Sequence, residues 1–568
     1  VKTIKFSPII RLSVFLFLAL SVGISAQAAE FPIAKTSGHQ EISLSAAYDG
    51  VNYLVAILDS VNCPGTLCSS EVSAQLVSAT DGSLIGSRII TGLEGDVPSV
   101  AFDGTNFLMV LKGEDSANPP NPYIYGQLVN TLGVLIGSAF QISPVVKIGG
   151  ASDAIKVVYD GANYFVVWEN RADPAVTETA RIYGQFVTPS GTLLGDTIGL
   201  SDSAAEFGQV FPSVAFDGKN IFVVWVDGRN KRACDTSGIC YPSDIYGQLI
   251  VKSSTGAAGT LLGANISIYW ADHRQDAPLS LASSGANYFV LMQRNSGFPG
   301  ECPWIGCVWG IYGFYAGLDG NFLGQFTTVF SNYYNNSFPS IVWNPTKNQY
   351  LVNWTERYSS SKMTIETSTV DVDPDKGSFG GPAFVLPTAN GKLPLAAIPL
   401  VAGDNYLILI NRGKPGKEIG DSDAFKGPHV YGTFIADLVT TSVSDPPSIA
   451  RALKGFSVYD TVENQGIGIS HPTETYYIFS PTGDPADINN GWLTGKRSIP
   501  AIPALGTSTG NATITIPSWI PAGDYYLLAC VNLYIVAETD FSNNCKVSAG
   551  KAHLIKPDLV AASVTNDD

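Results

Sequence analysis

Runs of five or six consecutive apolar residues, each entered through a short polar turn, recur along the first three quarters of this 568-residue chain. Tyr164-Phe165-Val166-Val167-Trp168 and Ile221-Phe222-Val223-Val224-Trp225 are the clearest, and both follow a turn of the form Asp-Gly-x-Asn. A strand apolar at every second position has one covered face; apolar at every position, it needs cover on both, so these runs predict strands inside stacked sheets. A shorter apolar strand precedes each turn, and Pro98-Ser99-Val100-Ala101-Phe102 recurs as Pro212-Ser213-Val214-Ala215-Phe216. Aligning the runs brings Tyr53, Phe107, Tyr164, Ile221, Tyr288, Tyr350 and Tyr406 into one column at intervals of 54 to 67 residues. Such a period marks a repeat architecture, here of seven units.

Each unit reads as four strands. In the fourth, residues 212–216 form the first strand, Asp217-Gly218 starts a hairpin turn, 221–226 form the second and 244–251 the third, and a Gly-rich stretch at 256–263 leads into a short fourth. Third strands share Ile-Tyr-Gly-Gln at 124–127, 182–185 and 245–248; the motif weakens to Ile311-Tyr312-Gly313 and Val430-Tyr431-Gly432 and is lost in the sixth unit. The seventh unit stops after its third strand, at 429–435, whereas Phe31-Pro32-Ile33-Ala34 stands before the first unit as Phe140-Gln141-Ile142-Ser143 stands before the third. The expected fold is therefore all-β: a seven-bladed β-propeller over residues 29–435, closed by an N-terminal strand that completes the last blade and removes both free edges. These repeats resemble the propeller repeats of secreted bacterial proteins. The resemblance implies the fold over residues 31–435 and no activity, since propellers host hydrolases, lyases, lectins and scaffolds.

Beyond residue 435 the strands alternate as in a two-sheet sandwich. Ala436-Asp437-Leu438-Val439, Asp460-Thr461-Val462-Glu463-Asn464-Gln465-Gly466, Pro521-Ala522-Gly523-Asp524-Tyr525-Tyr526-Leu527, Cys530 and Asn543-Asn544-Cys545 resemble a CARDB domain, a cell-adhesion-related, immunoglobulin-like or fibronectin-like sandwich of bacteria. The resemblance implies a sandwich over 436–548, a closing Cys530–Cys545 disulfide, and a spacing or adhesion role without enzymatic residues. Lys556-Pro557-Asp558-Leu559-Val560-Ala561-Ala562-Ser563-Val564 repeats the opening of that domain, so residues 549–568 read as a linker and the first strand of a second copy, and the chain as part of a longer protein.

The N-terminus reads as a secretory signal over residues 1–28: Lys2, Lys5 and Arg11 precede an apolar stretch at 12–24, and Ala26-Gln27-Ala28 is a small-x-small cleavage site. No later apolar run is long enough to span a bilayer, so the mature chain is expected to be secreted or surface-located without an integral membrane segment. The eight Cys agree with export, falling into the local pairs Cys63/Cys68, Cys234/Cys240, Cys302/Cys307 and Cys530/Cys545; they read as disulfides rather than zinc ligands, which need four at matching spacing. A net charge of −16 repels phosphate backbones and anionic lipid, which excludes nucleic acid as a partner.

Candidate chemistry clusters after the second strands. Glu169 with Arg171, Asp227 with Arg229, and Glu356 with Arg357 would gather carboxylates and guanidinium groups at one end of the ring, suited to an acidic sugar or to general acid catalysis. A catalytic residue is needed once, however, and a feature repeated along the chain is explained by the repeat itself, so no catalytic residue is assigned. The stapled loops are the stronger binding candidates. All three propeller Cys pairs fall between second and third strands, and Trp304, held between Cys302 and Cys307, with Trp309 and Tyr241, forms an anchor for a sugar ring or protein surface with little rotamer freedom left to lose. Asp371, Asp373 and Asp375 alternate before Gly377, as in a calcium-wrapping loop, against the plainer reading of a hairpin turn; no other cofactor is implied. Three functions are compatible with these features: an exported bacterial binding or adhesion protein for an extracellular glycan or protein, a propeller-type polysaccharide hydrolase or lyase, and a structural spacer of a larger surface protein.

Overall fold

The computed structural model describes residues 30–556, except 38, 62–69, 115–121, 145–154, 172–179, 203–207, 231–232, 235–239, 242–243, 270–278, 296–308, 331–334, 358–362, 372–383, 387–393, 414–428, 534–537, 539 and 541. The chain is all-β and forms two compact units, Glu30–Phe434 and a second beginning at Ile435.

In the first unit the sheets follow the sequence repeats. The third to sixth repeats each give a four-stranded antiparallel sheet in hairpin order, as with Gln209–Phe216, Asn220–Asp227, Asp244–Val251 and Leu261–Tyr269 in the fourth. The first two repeats share a strand that the sequence does not foretell. Leu84–Phe102 runs unbroken, pairing through 84–94 with Ser70–Ser78 and through 95–102 with Asn106–Glu114, so a seven-stranded sheet spans both repeats. The last sheet takes its three chain-consecutive strands from Pro394–Ala402, Asn405–Arg412 and His429–Phe434, and its fourth from Phe31–Ala34, with Phe31 opposite Gly432 and Pro32 opposite Tyr431. The first strand of each repeat lies against the first strand of the next, and that of the seventh lies against that of the first, His39–Tyr48.

The apolar runs are covered on both faces, as their composition requires. Tyr164, Val166 and Trp168 pack with Leu108, Val110 and Leu128 of the second repeat, while Phe165 and Val167 pack with Ile221, Val223 and Trp225 of the fourth. The third-strand motif is explained by what each residue meets. A Cβ added at Gly126 or Gly247 would lie 2.7 Å from the ring of Phe140 or Phe222, so only glycine lets the aromatic ring lie flat on the strand. The following Gln fills a bulge: Gln185 Nε2 donates to the carbonyls of Phe186, Leu194 and Gly195 at 3.1, 3.2 and 3.0 Å where the register shifts, and Gln127 and Gln248 do the same in their sheets. The Asp of each Asp-Gly turn caps it, with Asp103 Oδ1 accepting from the amides of Thr105 and Asn106, both at 2.7 Å.

The second unit is a two-sheet sandwich. Leu438–Val443, Gly455–Asn464 and Thr507–Thr515 form one sheet; Ile449–Arg451, Cys545–Ile555, Gly523–Val531, Thr473–Ser480 and Trp492–Ile499 form the other in that order. Val458, Phe479, Ile514 and Leu527 are among the residues that fill the space between. Cys530 and Cys545, opposite one another on neighbouring strands, are joined in a disulfide. The last strand runs to Ile555, past residue 548 where the sequence pattern ends the domain, because its final residues pair with Ile449–Arg451.

Candidate functional site

The second strands end, and the third begin, at the edge of each sheet opposite its Asp-Gly turn, and buried charge is concentrated there. In the fourth repeat Asp227 is fully buried. Trp225 Nε1 and Gln209 Nε2 donate to its Oδ2 at 2.9 and 3.3 Å. Arg229 donates to both carboxylate oxygens through Nε and Nη2, at 2.9 and 2.7 Å, and its Nη1 reaches Asp202 at 2.8 Å. The guanidinium also lies 3.9 Å over the ring of Tyr246. Burial works against this cation, but the bonds and charge of Asp227 and Asp202 outweigh it and raise its pKa. Asp227, fully buried and accepting from Trp225, Gln209 and Arg229, is an internal acid with no lone pair left for a ligand, while Arg229 spends three of its five N–H donors on Asp227 and Asp202.

Glu169 is buried too, and its Oε2 accepts from the amide of Phe211 at 3.3 Å. That amide is freed by a bulge in the first strand of the fourth repeat, where Phe211 has φ 58°. Glu356 does not stand by itself either. Its strand Gln349–Arg357 places it diagonally from Glu366 on Met363–Asp371, and the two carboxyls share a hydrogen bond while Thr364 Oγ1 donates to Glu366 at 2.8 Å. Burial and the neighbouring carboxyl push Glu366 up to about 7. Arg357 is half-buried at the end of the same strand.

A second charged group joins the first and last repeats. Buried Glu41 accepts from the amide and hydroxyl of Thr36 at 2.8 and 2.7 Å, lies 3.0 Å from His429 Nδ1, and is paired with Arg88, which also reaches Asp59 at 3.3 Å. Burial works to raise the Glu41 carboxyl, yet the bonds from Thr36 and Arg88 hold it below the usual carboxylate range. His39 Nδ1 lies 2.8 Å from Asp59. Nearby, Arg412 and Glu30, both almost wholly buried, form an ion pair, and Asn411 exchanges two hydrogen bonds, each 2.8 Å, with the backbone of Ser43.

Of the other candidates, Arg171 lies opposite Ala180 and Trp309 opposite Asn295, each at a strand end, and Tyr241 lies opposite Ala233 in a two-stranded ribbon that also sets Cys234 opposite Cys240. Trp304, Cys63, Cys68, Cys302 and Cys307 lie outside the described residues. Asp371 ends its strand opposite Gln349, at the turn end of the sheet and away from the other candidates, while Asp373 and Asp375 lie outside the described residues. Among the described residues no group of three or more His, Cys, Asp or Glu side chains is arranged to hold a metal ion, and no helix is long and apolar enough to cross a membrane. A groove of about 610 Å³ lined by Leu249, Leu262, Ile266 and Leu318 lies at the turn end, remote from the buried charges.

Sequence reasoning missed Glu366, Glu41, Arg88 and the Glu30–Arg412 pair. Strand register puts Glu366 opposite Trp354, where other third strands carry the Tyr of Ile-Tyr-Gly-Gln opposite Trp168 and Trp225, but the sixth repeat lacks the motif that would show this in the sequence. Arg88 meets Glu41 and Asp59 across strands of the first repeat, and the Glu41–His429 and Glu30–Arg412 contacts join the two ends of the repeat region; no local pattern records either.

No protein-family model and no curated protein matches the chain. Among solved structures, it is similar to a propeller-like α-L-arabinofuranosidase of Fusarium graminearum, bound to an iminosugar inhibitor, at 13% identity over 73% of this chain and 98% of that one, with a TM-score of 0.38. An α-L-arabinanase of Penicillium chrysogenum with arabinobiose gives 12% identity over 72% and 98%, with a TM-score of 0.34. A CARDB domain from Pyrococcus furiosus, in complex with di-metal ions, gives 17% identity over 21% and 90%, with a TM-score of 0.16. Likenesses this low leave the function of the chain to its own strand pairing and side-chain contacts.

Proposed function

We propose that residues 30–434 form a seven-bladed β-propeller shut by Phe31–Ala34, and that the protein, exported by a bacterium, works outside the cell by binding a glycan or protein ligand. The unbroken succession of first-strand contacts and the pairing of Phe31 with Gly432 support the ring. The CARDB-like sandwich then serves as a spacer or adhesion module. The observation that carries the binding reading is the saturation of Asp227 by Arg229, Trp225 and Gln209. With that acid spent on the scaffold, recognition falls to the loops between second and third strands, where Trp304 is placed by sequence. Glycan and protein arrays probed with the full chain and its Trp304→Ala variant test this: affinity at least about tenfold weaker in the variant supports it. Equal affinity moves the site off that loop, and absence of any ligand leaves the spacer role.

One observation favours the polysaccharide hydrolase or lyase instead. A carboxyl pushed up to about 7 beside a second carboxylate has the protonation state of a general acid. Both groups are buried, Glu356 at 1% and Glu366 at 3% exposure, which withholds them from a substrate. Polysaccharide turnover abolished by Glu366→Gln would replace binding with catalysis as the function.

A further inference from the structure

One column of the first strands behaves differently in a single repeat. Ser45, Ser99, Ser213, Ser280 and Ser340 lie opposite Ala56, Val110, Val224, Leu291 and Asn353, the same position of each second strand. In the third repeat that position, opposite Val167, is Lys156, and in the seventh it is Ile398. Three of the five serines bind neighbouring repeats together. Ser45 Oγ accepts from the amide of Val100 at 3.0 Å, Ser280 Oγ accepts from that of Ile341 at 3.1 Å, and Ser340 Oγ donates to the carbonyl of Ala397 at 2.7 Å. They form a polar seam along the first strands, which on the propeller reading line the central opening.

Lysine has no place in that seam on structural grounds. It is too long to make the short serine bond, and it brings a charge to a half-buried position. Lys156 is half-buried, on the face of its strand that carries Val158 toward Val214 and Phe216 of the fourth repeat. The carboxylate on that same face of the sheet, Glu169, is engaged by the Phe211 amide. Among the described residues no carboxylate pairs with the Lys156 ammonium, and burial alone acts on it, pulling its pKa down. A desolvated cation without a counter-charge is destabilising unless an anion from outside supplies one. The overall charge of −16 would repel a dense polyanion and favours a ligand with isolated acidic groups.

We propose that Lys156, at the junction of the third and fourth repeats beside the central opening, is an anion-binding residue and holds the carboxylate of an acidic sugar. This inference rests on the propeller and binding reading and names the ligand class for it. Calorimetric titration of the full chain with tri-galacturonate and with its neutral methyl ester tests it. The acid is expected to bind at least about tenfold more tightly than the ester, with the margin shrinking as salt is added. Lys156→Ser, which installs the residue of the other repeats, is expected to erase that margin while melting no lower than the parent chain. Equal affinity for acid and ester, binding of neither, or a margin that survives Lys156→Ser would each overturn the inference. A chain that binds neutral glycans or proteins without preferring the acid loses this inference alone; one that binds nothing loses the binding reading with it.

Discussion

Glu366 and Glu41 are both buried carboxyls, yet their surroundings drive them in opposite directions, and the pH dependence of stability separates them. Glu366 rises from 4.5 to about 7 because burial and Glu356 disfavour its charge. Between those values the folded chain holds a proton that the unfolded chain releases, so stability falls as pH rises through this window and stays lower above it. Glu366→Gln fixes the neutral form and should flatten that fall, gaining at most about 3 kcal/mol over the parent at pH 8. Glu41 lies below its usual value, so its contribution is present above about 4.5 and is lost as pH drops through the folded value. Thermal melts from pH 4 to 8 should therefore show Glu366→Gln altering the upper limb and leaving the acid limb as it was. A parent chain whose stability does not fall between pH 5 and 7 would refute the assignment. At this scale the sequence was partly legible. The Gly and Gln of the third strands stood out as a motif: each Gln fills the same bulge, and each Gly makes room for an aromatic ring, from the fourth strand at Gly126 and from the second at Gly184 and Gly247. Glu366 stayed hidden because the motif that would have aligned it is missing from its repeat.

Strand pairing is the level at which the sequence spoke most clearly, since continuous apolar runs between Asp-Gly turns have few other solutions. The unbroken Leu84–Phe102 strand escaped notice because Gly92 and Gly95 look like a loop; Gly92 instead takes φ 68° within a bulged strand. The pairing of Phe31–Ala34 with His429–Phe434 was expected from a missing fourth strand, and the side chains around it say how it is held. Phe31 covers Gly432 and lies against Phe434 with the rings tilted by 33° and their centres 5.6 Å apart, while Glu30 pairs with Arg412, which is 1% exposed. Glu30→Ala leaves that guanidinium buried without its partner and should destabilise the unit by about 3–5 kcal/mol. The double change Glu30→Ala/Arg412→Met removes the charge as well and should recover much of the loss. Denaturant unfolding followed by tryptophan fluorescence reads both; a single variant as stable as the parent would mean that the N-terminal strand adds nothing to the last sheet.

At the level of the whole molecule, one compact unit ends at Phe434 and the next begins at Ile435, and the apolar pattern changes there from continuous to alternating, since a sheet packed on both faces and a sandwich sheet packed on one need different strands. The far end of the sandwich was harder to place: its last strand continues to Ile555 through parallel pairing with the three-residue Ile449–Arg451, too short a strand to announce itself. Each unit has its own apolar core, and the Cys530–Cys545 bridge, with a sequence separation of 15, belongs wholly to the second. Closing a loop of that size removes unfolded-chain entropy equivalent to about 3 kcal/mol. For a domain of this size such a loss lowers the melting temperature by on the order of 10 °C. Calorimetry of the full chain should therefore resolve two transitions, and the Cys530→Ser/Cys545→Ser variant should shift one of them down by that amount while the transition of the Glu30–Phe434 unit stays in place. If both move together, the cores do not unfold independently, and the proposed spacer role for the sandwich would have to give way to one in which it supports the Glu30–Phe434 unit.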